Sequence, residues 1–349
     1  MDTRIIKIDE SSIDVSLIEE GAKVIKIGGL VAFPTETVYG LGADGLNEEA
    51  VKKIFIAKGR PQDNPLILHV CSIEQVEDLV IEIPPVAKLC MERFWPGPLT
   101  IILKKSPKVP NIITAGLDTV AIRMPKNNIA LELIRLSNTP IAAPSANTSG
   151  RPSPTSAKHV IEDLMGKIDM IIDGGNTGIG LESTVLDLSA DIPTILRPGG
   201  ITKEDLSEII PNVAIDSSII KADEKIIPKS PGQKYRHYAP KAEMLLFTGE
   251  IDNIVRAITD RAINYIKEGK KVGIICTDET KGFYKDGIII SLGSREHKET
   301  IARNLFDTLR TFDHLGVDII LAEGVDLAYL GTAIMNRMMK AASGRIIKV

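Results

Sequence analysis

Cysteine is scarce in this chain. Its three residues, Cys71, Cys90 and Cys276, stand far apart in 349 positions with no CxxC pair. That spacing excludes a disulfide framework and a zinc site, and reads as buried thiols of a reducing compartment. Aromatic residues make up only 4%, which counts against the aromatic and basic platform on which single-stranded nucleic acids stack. No apolar run approaches the length of a membrane span. The start, Met1-Asp2-Thr3-Arg4 running into Ile5-Ile6-Lys7-Ile8, reads as a first strand without the basic start and apolar middle of a signal peptide. The expected location is the cytoplasm, with no membrane partner. Positive charge is also short where binding to a polyanion would need it. Residues 1–210 hold 21 Lys+Arg against 28 Asp+Glu, a net of −7, and the remainder is +3. Stable nucleic-acid binding is therefore not expected, because phosphate affinity comes mainly from summed positive charge. The glycine-rich run GGNTGIGLE before Ser183-Thr184 is neither GxGxxG nor GxxxxGK[ST] and joins strands, so it is read as no dinucleotide or Walker loop, and there is no HExxH and no Cys/His cluster with metal spacing.

What is present is ordinary globular material, 44% hydrophobic and 25% charged, long enough for two domains. Apolar spacing predicts a helix over 16–27, stopping at Gly28-Gly29, and then a buried strand Leu30-Val31-Ala32-Phe33. Asn47 is placed to cap a helix from Glu48 to Lys58, with acids in its first turn and basic residues later. Strands are expected at Leu66–Val70, Leu99–Leu103, Val120–Arg123, Ile141–Ala143, Met170–Asp173, Ser183–Leu188 and Thr194–Arg197, with helices at Ile129–Leu136 and Ala157–Met165. Strict βαβ alternation is missing, so the sheet should be mixed and largely covered. A weakly periodic stretch over 211–241, containing Ser230-Pro231-Gly232-Gln233-Lys234-Tyr235-Arg236-His237-Tyr238-Ala239-Pro240, reads as a functional loop rather than a bland linker. Strands at Met244–Phe247, Val272–Cys276, Ile288–Ser291 and Asp318–Leu321 then alternate with helices at 252–267, 296–315 and 328–342, the pattern of a small doubly wound α/β domain. The expected organisation is 1–210, a linker or lid at 211–241, and 242–349.

Two runs carry polar chemistry at the ends of elements: Lys58-Gly59-Arg60-Pro61 and Ser145-Ala146-Asn147. From the residues alone both stay open. Basic residues at a helix C-terminus are favourably placed against its dipole, and a donor-rich run such as SANTSG has the composition of a turn. Arg123 and Arg197 each close a strand. If these strand ends lie on one edge of the sheet, the cations converge on an anion. Thr35-Glu36-Thr37, Ser183-Thr184 and His69 share the ambiguity, a lone strand-end histidine reading as structural. Trp95, in WPGPLT, reads as core.

Taken together the motifs resemble the two-domain L-threonylcarbamoyl-AMP synthases, whose catalytic part is a YrdC-like domain. The matching segments are PTETVYGLG (34–42), KGRPQDNPL (58–66), WPGPLT (95–100), AGLDTVAIRMP (115–125), IAAPSAN (141–147), RPSPT (151–155), ESTV (182–185), LRPG (196–199), SPGQKYRHYAP in the linker, and ARNLFDTLR and AIMNR beyond it. The resemblance covers nearly the whole chain. Gln233 departs from it, standing where the family linker usually has Met, and leaves the basic and aromatic linker residues intact.

The resemblance implies a mixed twisted-sheet catalytic domain joined to a smaller Rossmann-like domain. It implies formation of threonylcarbamoyl-adenylate and pyrophosphate from L-threonine, bicarbonate or CO2, and ATP with Mg²⁺, for the t6A modification of tRNA. The tRNA threonylcarbamoyl-transfer enzymes downstream are possible partners. By matching positions, Lys58 and Arg60 are the catalytic cations. Thr35, His69, Arg123, Ser145 and Ser183 hold threonine, with Arg123 on its carboxylate. Lys58, Arg60, Thr119, Ala143 (through its backbone), Asn147, Ser153, Arg197 and Tyr235 hold ATP, the linker tyrosine acting as part of a lid. No resident metal ligand is implied. The competing readings are an RNA-binding or ribosome-assembly factor and a carbamoyltransferase using carbamoyl phosphate.

Overall fold

The computed structural model describes residues 2–219 and 237–349. They divide into two units: residues 2–149, 153–178 and 182–219 form the first, and 150–152, 179–181 and 237–349 the second. Among the described residues no helix is long and apolar enough to cross a membrane.

The first unit is built on an 11-stranded mixed sheet. In chain order its strands are β1 (Arg4–Lys7), β2 (Val31–Phe33), β3 (Gly40–Asp44), β4 (Ile67–His69), β5 (Leu99–Lys104), β6 (Thr119–Arg123), β7 (Ile141–Ala142), β8 (Met170–Asp173), β9 (Thr184–Asp187), β10 (Thr194–Arg197) and β11 (Ala214–Ile215). Their spatial order is β1-β8-β2-β3-β7-β4-β6-β5-β9-β10-β11. The expected mixed sheet is thus present, and the predicted strands fall within a residue or two of their positions. β3 was not expected as a strand. Two glycines lower its strand propensity, but its second is required: a Cβ on Gly42 would come within 2.8 Å of both Phe33 and Ile141.

The helices begin and end as their sequences dictate. Asp14 caps Val15–Lys26 by accepting from the Ser16 amide. Asn47 caps Glu48–Lys58, accepting from the amides of Glu49 and Ala50. Gly59 stops that helix at φ 61°, a left-handed conformation open to glycine at little cost.

Side chains alternate between the two faces of a sheet, and the packing follows. One face buries Leu68, Ile101, Leu103, Ile122, Leu186 and Ile195 in the main core with Val51, Ile54 and Phe55 of the Glu48–Lys58 helix. On the opposite face, Val31, Phe33, Ile141 and Met170 pack under Ile18, Ala22 and Ile25 of the first helix and Leu133 and Ile134 of helix Asn128–Ser137. The same face of β4, β6, β5, β9 and β10 carries a separate small cluster, Ile67, Ala121, Ile102, Val185 and Leu196. The polar residues of interest lie beside that cluster.

Trp95 is half-buried against the main core rather than enclosed in it, its indole N–H donating to Leu99 O at 2.7 Å. Cys90 and Cys276 are buried, whereas Cys71 is partly exposed.

The second unit has a five-stranded, wholly parallel sheet of β12 (Glu243–Thr248), β13 (Val272–Cys276), β14 (Ile288–Ser291), β15 (Ile319–Glu323) and β16 (Ile346–Lys348), in the order β14-β13-β15-β12-β16. Ile254, Ile258 and Ala262 of helix Ile251–Lys267 cover Leu245, Phe247, Ile274 and Leu321 on one face. The alternate residues Met244, Leu246, Ile275 and Ile320 are buried as well, so both faces are covered, as the doubly wound pattern requires. At its start Tyr238 stacks on Phe306 with ring centroids 5.1 Å apart. Tyr235 and the linker residues 220–236 lie outside the described residues.

Candidate active site

β4 and β6 run parallel, with His69 paired to Arg123. β6 is antiparallel to β5, β5 parallel to β9, and β9 antiparallel to β10. The C-terminal ends of β4, β6 and β10 therefore point the same way, and His69, Arg123 and Arg197 reach one edge of the sheet. Thr100 pairs with Val185, which also pairs with Arg197. Alternation alone would send Arg197 to the face of Ile195. A register shift between Ile195 and Arg197 re-aims it, and its Nε and Nη2 donate to Ser183 O and Oγ, both at 3.0 Å. Ser183 Oγ also shares a 2.7 Å hydrogen bond with Thr100 Oγ1.

Arg123 is 4% exposed and surrounded by the loop after β2. Its Nη1 donates to Thr37 Oγ1 at 2.9 Å, its Nε to Gly97 O at 3.3 Å, and Nη2 lies 2.7 Å from Glu36 Oε2. Thr35 shapes that loop: its hydroxyl donates to Val38 O at 2.6 Å and accepts from the amides of Thr37 and Val38. The same loop reaches a second group, where Tyr39 O accepts from Ala146 N at 2.8 Å.

That second group is centred on Lys58, 2% exposed at the helix end. Its Nζ donates to Ser145 O and, at 2.5 Å, to Asn147 O, while Ser145 Oγ donates to Asn147 Oδ1 at 2.6 Å. Ala143 N is bound to Ile67 O at 3.0 Å, which fixes the strand from which Ser145 and Asn147 leave. Arg60 lies beyond the glycine turn, donating to Asn64 O and Pro65 O. Thr119 starts β6 on the face of Ala121 and Arg123, and Ser153 Oγ donates to Glu182 Oε1 at 2.5 Å.

The structure thus gathers His69, Arg123, Ser183 and Arg197 at one edge and Lys58, Ser145 and Asn147 around one ammonium, with the 35–39 loop touching both. Thr100 and Glu182 were not singled out from sequence, and Glu36 and Thr37 were named there only as part of an ambiguous polar run, with no role assigned. All four lie inside the quoted motifs, but their partners are distant in the chain; Thr100 and Ser183 are 83 residues apart. Burial, together with the Arg123 and Arg197 cations, pushes the pKa of His69 down to about 3. Its Nδ1 is buried without a hydrogen-bond partner. A neutral imidazole among fixed cations can accept or donate one hydrogen bond to a ligand without adding charge.

Chemically, two buried guanidiniums, a buried ammonium and several hydroxyls form a preorganised field for an anionic ligand, built on strands and a helix end rather than on loops alone. Residues 23–199 match a family model described as "Telomere recombination", which groups the Sua5, YciO and YrdC proteins. Residues 201–343 match one described as "Threonylcarbamoyl-AMP synthase, C-terminal domain". The chain is 55% identical to the threonylcarbamoyl-AMP synthase of Pyrococcus abyssi, covering 94% of each sequence. It is 51% identical to that of Bacillus subtilis, covering 97% of each. Among solved structures, P. abyssi Sua5 complexed with L-threonine superposes with a TM-score of 0.95 at 53% identity, over 99% of this chain and all of that one.

Proposed function

The chain belongs to the threonylcarbamoyl-AMP synthase family, and from that membership we propose that it makes threonylcarbamoyl-adenylate and pyrophosphate from L-threonine, bicarbonate or CO2, and ATP, supplying the t6A modification of tRNA. The observation that carries the reading is the convergence of His69, Arg123, Ser183 and Arg197 on one sheet edge.

Threonine is an amino acid with a hydroxyl, and the site suits each part. Arg123 takes the carboxylate. Thr35, His69, Ser145 and Ser183 surround the rest. Rejecting valine requires a hydrogen bond to the substrate hydroxyl, because an apolar pocket cannot discriminate an isosteric methyl from it strongly. The amine becomes a carbamate, and the carbamate oxygen attacks the α-phosphorus in line as pyrophosphate leaves. That anion needs no strong base at this step. It needs alignment and neutralised phosphate charge, the roles we assign to Lys58, Arg60 and Arg197. Thr119, Ala143, Asn147 and Ser153 complete the nucleotide side. Mg²⁺ enters with ATP as part of the substrate, its ligands mostly phosphate oxygens and water. The product is a reactive mixed anhydride, so an enzyme that transfers its acyl group to tRNA must consume it.

The test is exchange of labelled pyrophosphate into ATP. We expect exchange that requires both L-threonine and bicarbonate. An RNA-binding factor gives none, and a carbamoyltransferase using carbamoyl phosphate gives none with threonine. Absence of threonine-dependent exchange in active, folded protein overturns the proposal.

A further inference from the structure

The guanidinium assigned to the substrate carboxylate already faces a carboxylate. Glu36 Oε2 is 2.7 Å from Arg123 Nη2, and the two side chains are 12% and 4% exposed. The pair is a charge contact rather than an aligned hydrogen bond: neither oxygen of Glu36, nor Arg123 Nη2, has a hydrogen-bond partner although all three are buried. By contrast, Arg123 Nη1 and Nε are anchored on Thr37 Oγ1 and Gly97 O. The cation is thus fixed by neutral groups, and the carboxylate beside it is held by charge alone.

We propose that Glu36 is the amine-side partner and proton acceptor for the substrate, so that the threonine zwitterion inserts into the Glu36–Arg123 pair. This rests on the reading of Arg123 as the carboxylate site. A buried ion pair is damaged by anything that removes one partner and leaves the other uncompensated. A zwitterion avoids that damage. Its carboxylate replaces Glu36 on the guanidinium, and its ammonium replaces Arg123 beside Glu36, so each buried charge keeps an opposite neighbour. A hydroxy acid of the same shape would orphan Glu36, which makes the pair a filter for the amine as well as for the carboxylate.

The same carboxylate answers a chemical need. The ammonium has no lone pair and cannot attack carbon. One N–H bond breaks and its proton goes to Glu36. The freed lone pair forms the N–C bond to CO2, a second N–H proton leaves to water, and the product is the carbamate anion. Glu36 then returns its proton to solvent, so one ammonium and one CO2 give one carbamate and two protons. Arg123 stays on the α-carboxylate throughout.

The experiment uses the full chain and Glu36→Gln, which keeps the shape and removes the charge. Threonine-dependent pyrophosphate exchange is followed from pH 6.5 to 9.5, with 3-hydroxybutyrate, threonine without its amine, as competitive inhibitor. At pH 7.5 we expect kcat/KM for threonine to fall about 100-fold. The variant's rate should climb roughly tenfold per pH unit as free amine becomes available, while the wild type stays nearly flat. The wild type should bind threonine at least 100-fold tighter than 3-hydroxybutyrate, and the variant should narrow that gap to about tenfold or less. Glu36→Asp keeps a carboxylate and should retain the wild-type pH profile at reduced rate, which separates proton transfer from folding. An unchanged kcat/KM and a flat profile in Glu36→Gln overturn the proposal. Arg123→Ala distinguishes its failure from that of the underlying reading. If that variant still binds threonine normally, the assignment of Arg123 is what fails. If it loses threonine while Glu36→Gln is indifferent, only Glu36 loses its role.

Discussion

His69 and Arg123 pair across the parallel strands β4 and β6, and the histidine stays neutral there because burial and the arginine both oppose its protonation. Its pKa is about 3 in the folded protein against an ordinary 6.5. Between those values the unfolded chain binds a proton that the folded chain refuses, so this group lowers stability progressively as pH falls from 6.5 toward 3. The slope from one such group is about 1.4 kcal/mol per pH unit within that window. We expect denaturant unfolding at pH 7 and pH 5 to show a smaller loss for His69→Gln than for the wild type, by roughly 2 kcal/mol. Equal losses would mean that the imidazole takes up its proton in the fold.

Lys58 is both a candidate phosphate cation and a structural tie. Its ammonium holds the carbonyls of Ser145 and Asn147, and its own carbonyl accepts from Ser149 N at 2.9 Å. Lys58→Ala should cost about 2 kcal/mol of stability through the two abandoned carbonyls, leaving a folded protein whose pyrophosphate exchange is down at least about 100-fold. Lys58→Arg should remain impaired, since a planar fork does not reproduce a point charge between two carbonyls. Near-normal exchange in the folded alanine variant would remove Lys58 from the nucleotide.

How far the chain could be read depended on the range of the interactions involved. The Glu48–Lys58 helix was legible to the residue because its signals are local: Asn47 before it, acids in its first turn, Gly59 after it. Met170–Asp173 and Thr194–Arg197 were legible as apolar runs between turn residues. β3 was hidden because its Gly42 answers to Phe33 and Ile141 from other strands, not to local propensity. The site divides in the same way. Arg123 and Arg197 were visible as cations closing strands, but their convergence depends on strand directions, and that of Arg197 on a register shift as well. The Glu36 carboxylate was visible in PTETVYGLG, yet nothing local says that it faces a residue 87 positions further on at 2.7 Å.

Thr100 tests whether the site depends on that long-range layer. Its hydroxyl is bound to Ser183 Oγ at 2.7 Å, and Arg197 donates to the same oxygen at 3.0 Å. Thr100→Val keeps the shape and removes this positioning contact. KM for threonine should rise about tenfold, a change of roughly 1.4 kcal/mol, with kcat altered less than about twofold. Steady-state exchange kinetics decide it, and an unchanged KM would reduce Thr100 to a packing residue.

Glu323 poses the corresponding question in the second unit. It ends β15 with 2% exposure, accepting from Tyr284 Oη at 2.6 Å, Thr280 Oγ1 at 2.9 Å and Arg295 Nη2 at 2.9 Å. Burial, with the adjacent carboxylate, pushes the Tyr284 hydroxyl far above its ordinary pKa, so it stays a donor at any working pH. The cluster occupies the carboxyl ends of β13 and β15, the neighbouring strands from which the chain departs in opposite directions, where doubly wound sheets hold ligands. Here the carboxylate's hydrogen bonds go to side chains of the same unit, which makes Glu323 a clamp on the loops after β13 and β14. Glu323→Ala leaves Arg295 without its buried partner and should destabilise this unit by about 3–5 kcal/mol. Glu323→Gln keeps an acceptor for Tyr284 and Arg295 and should cost clearly less. Hydrogen exchange read separately in β12, β13 and β15 would show the loss as faster exchange there, with β4 to β6 unaffected. Wild-type protection in the alanine variant would mean that these loops are held by something other than the carboxylate.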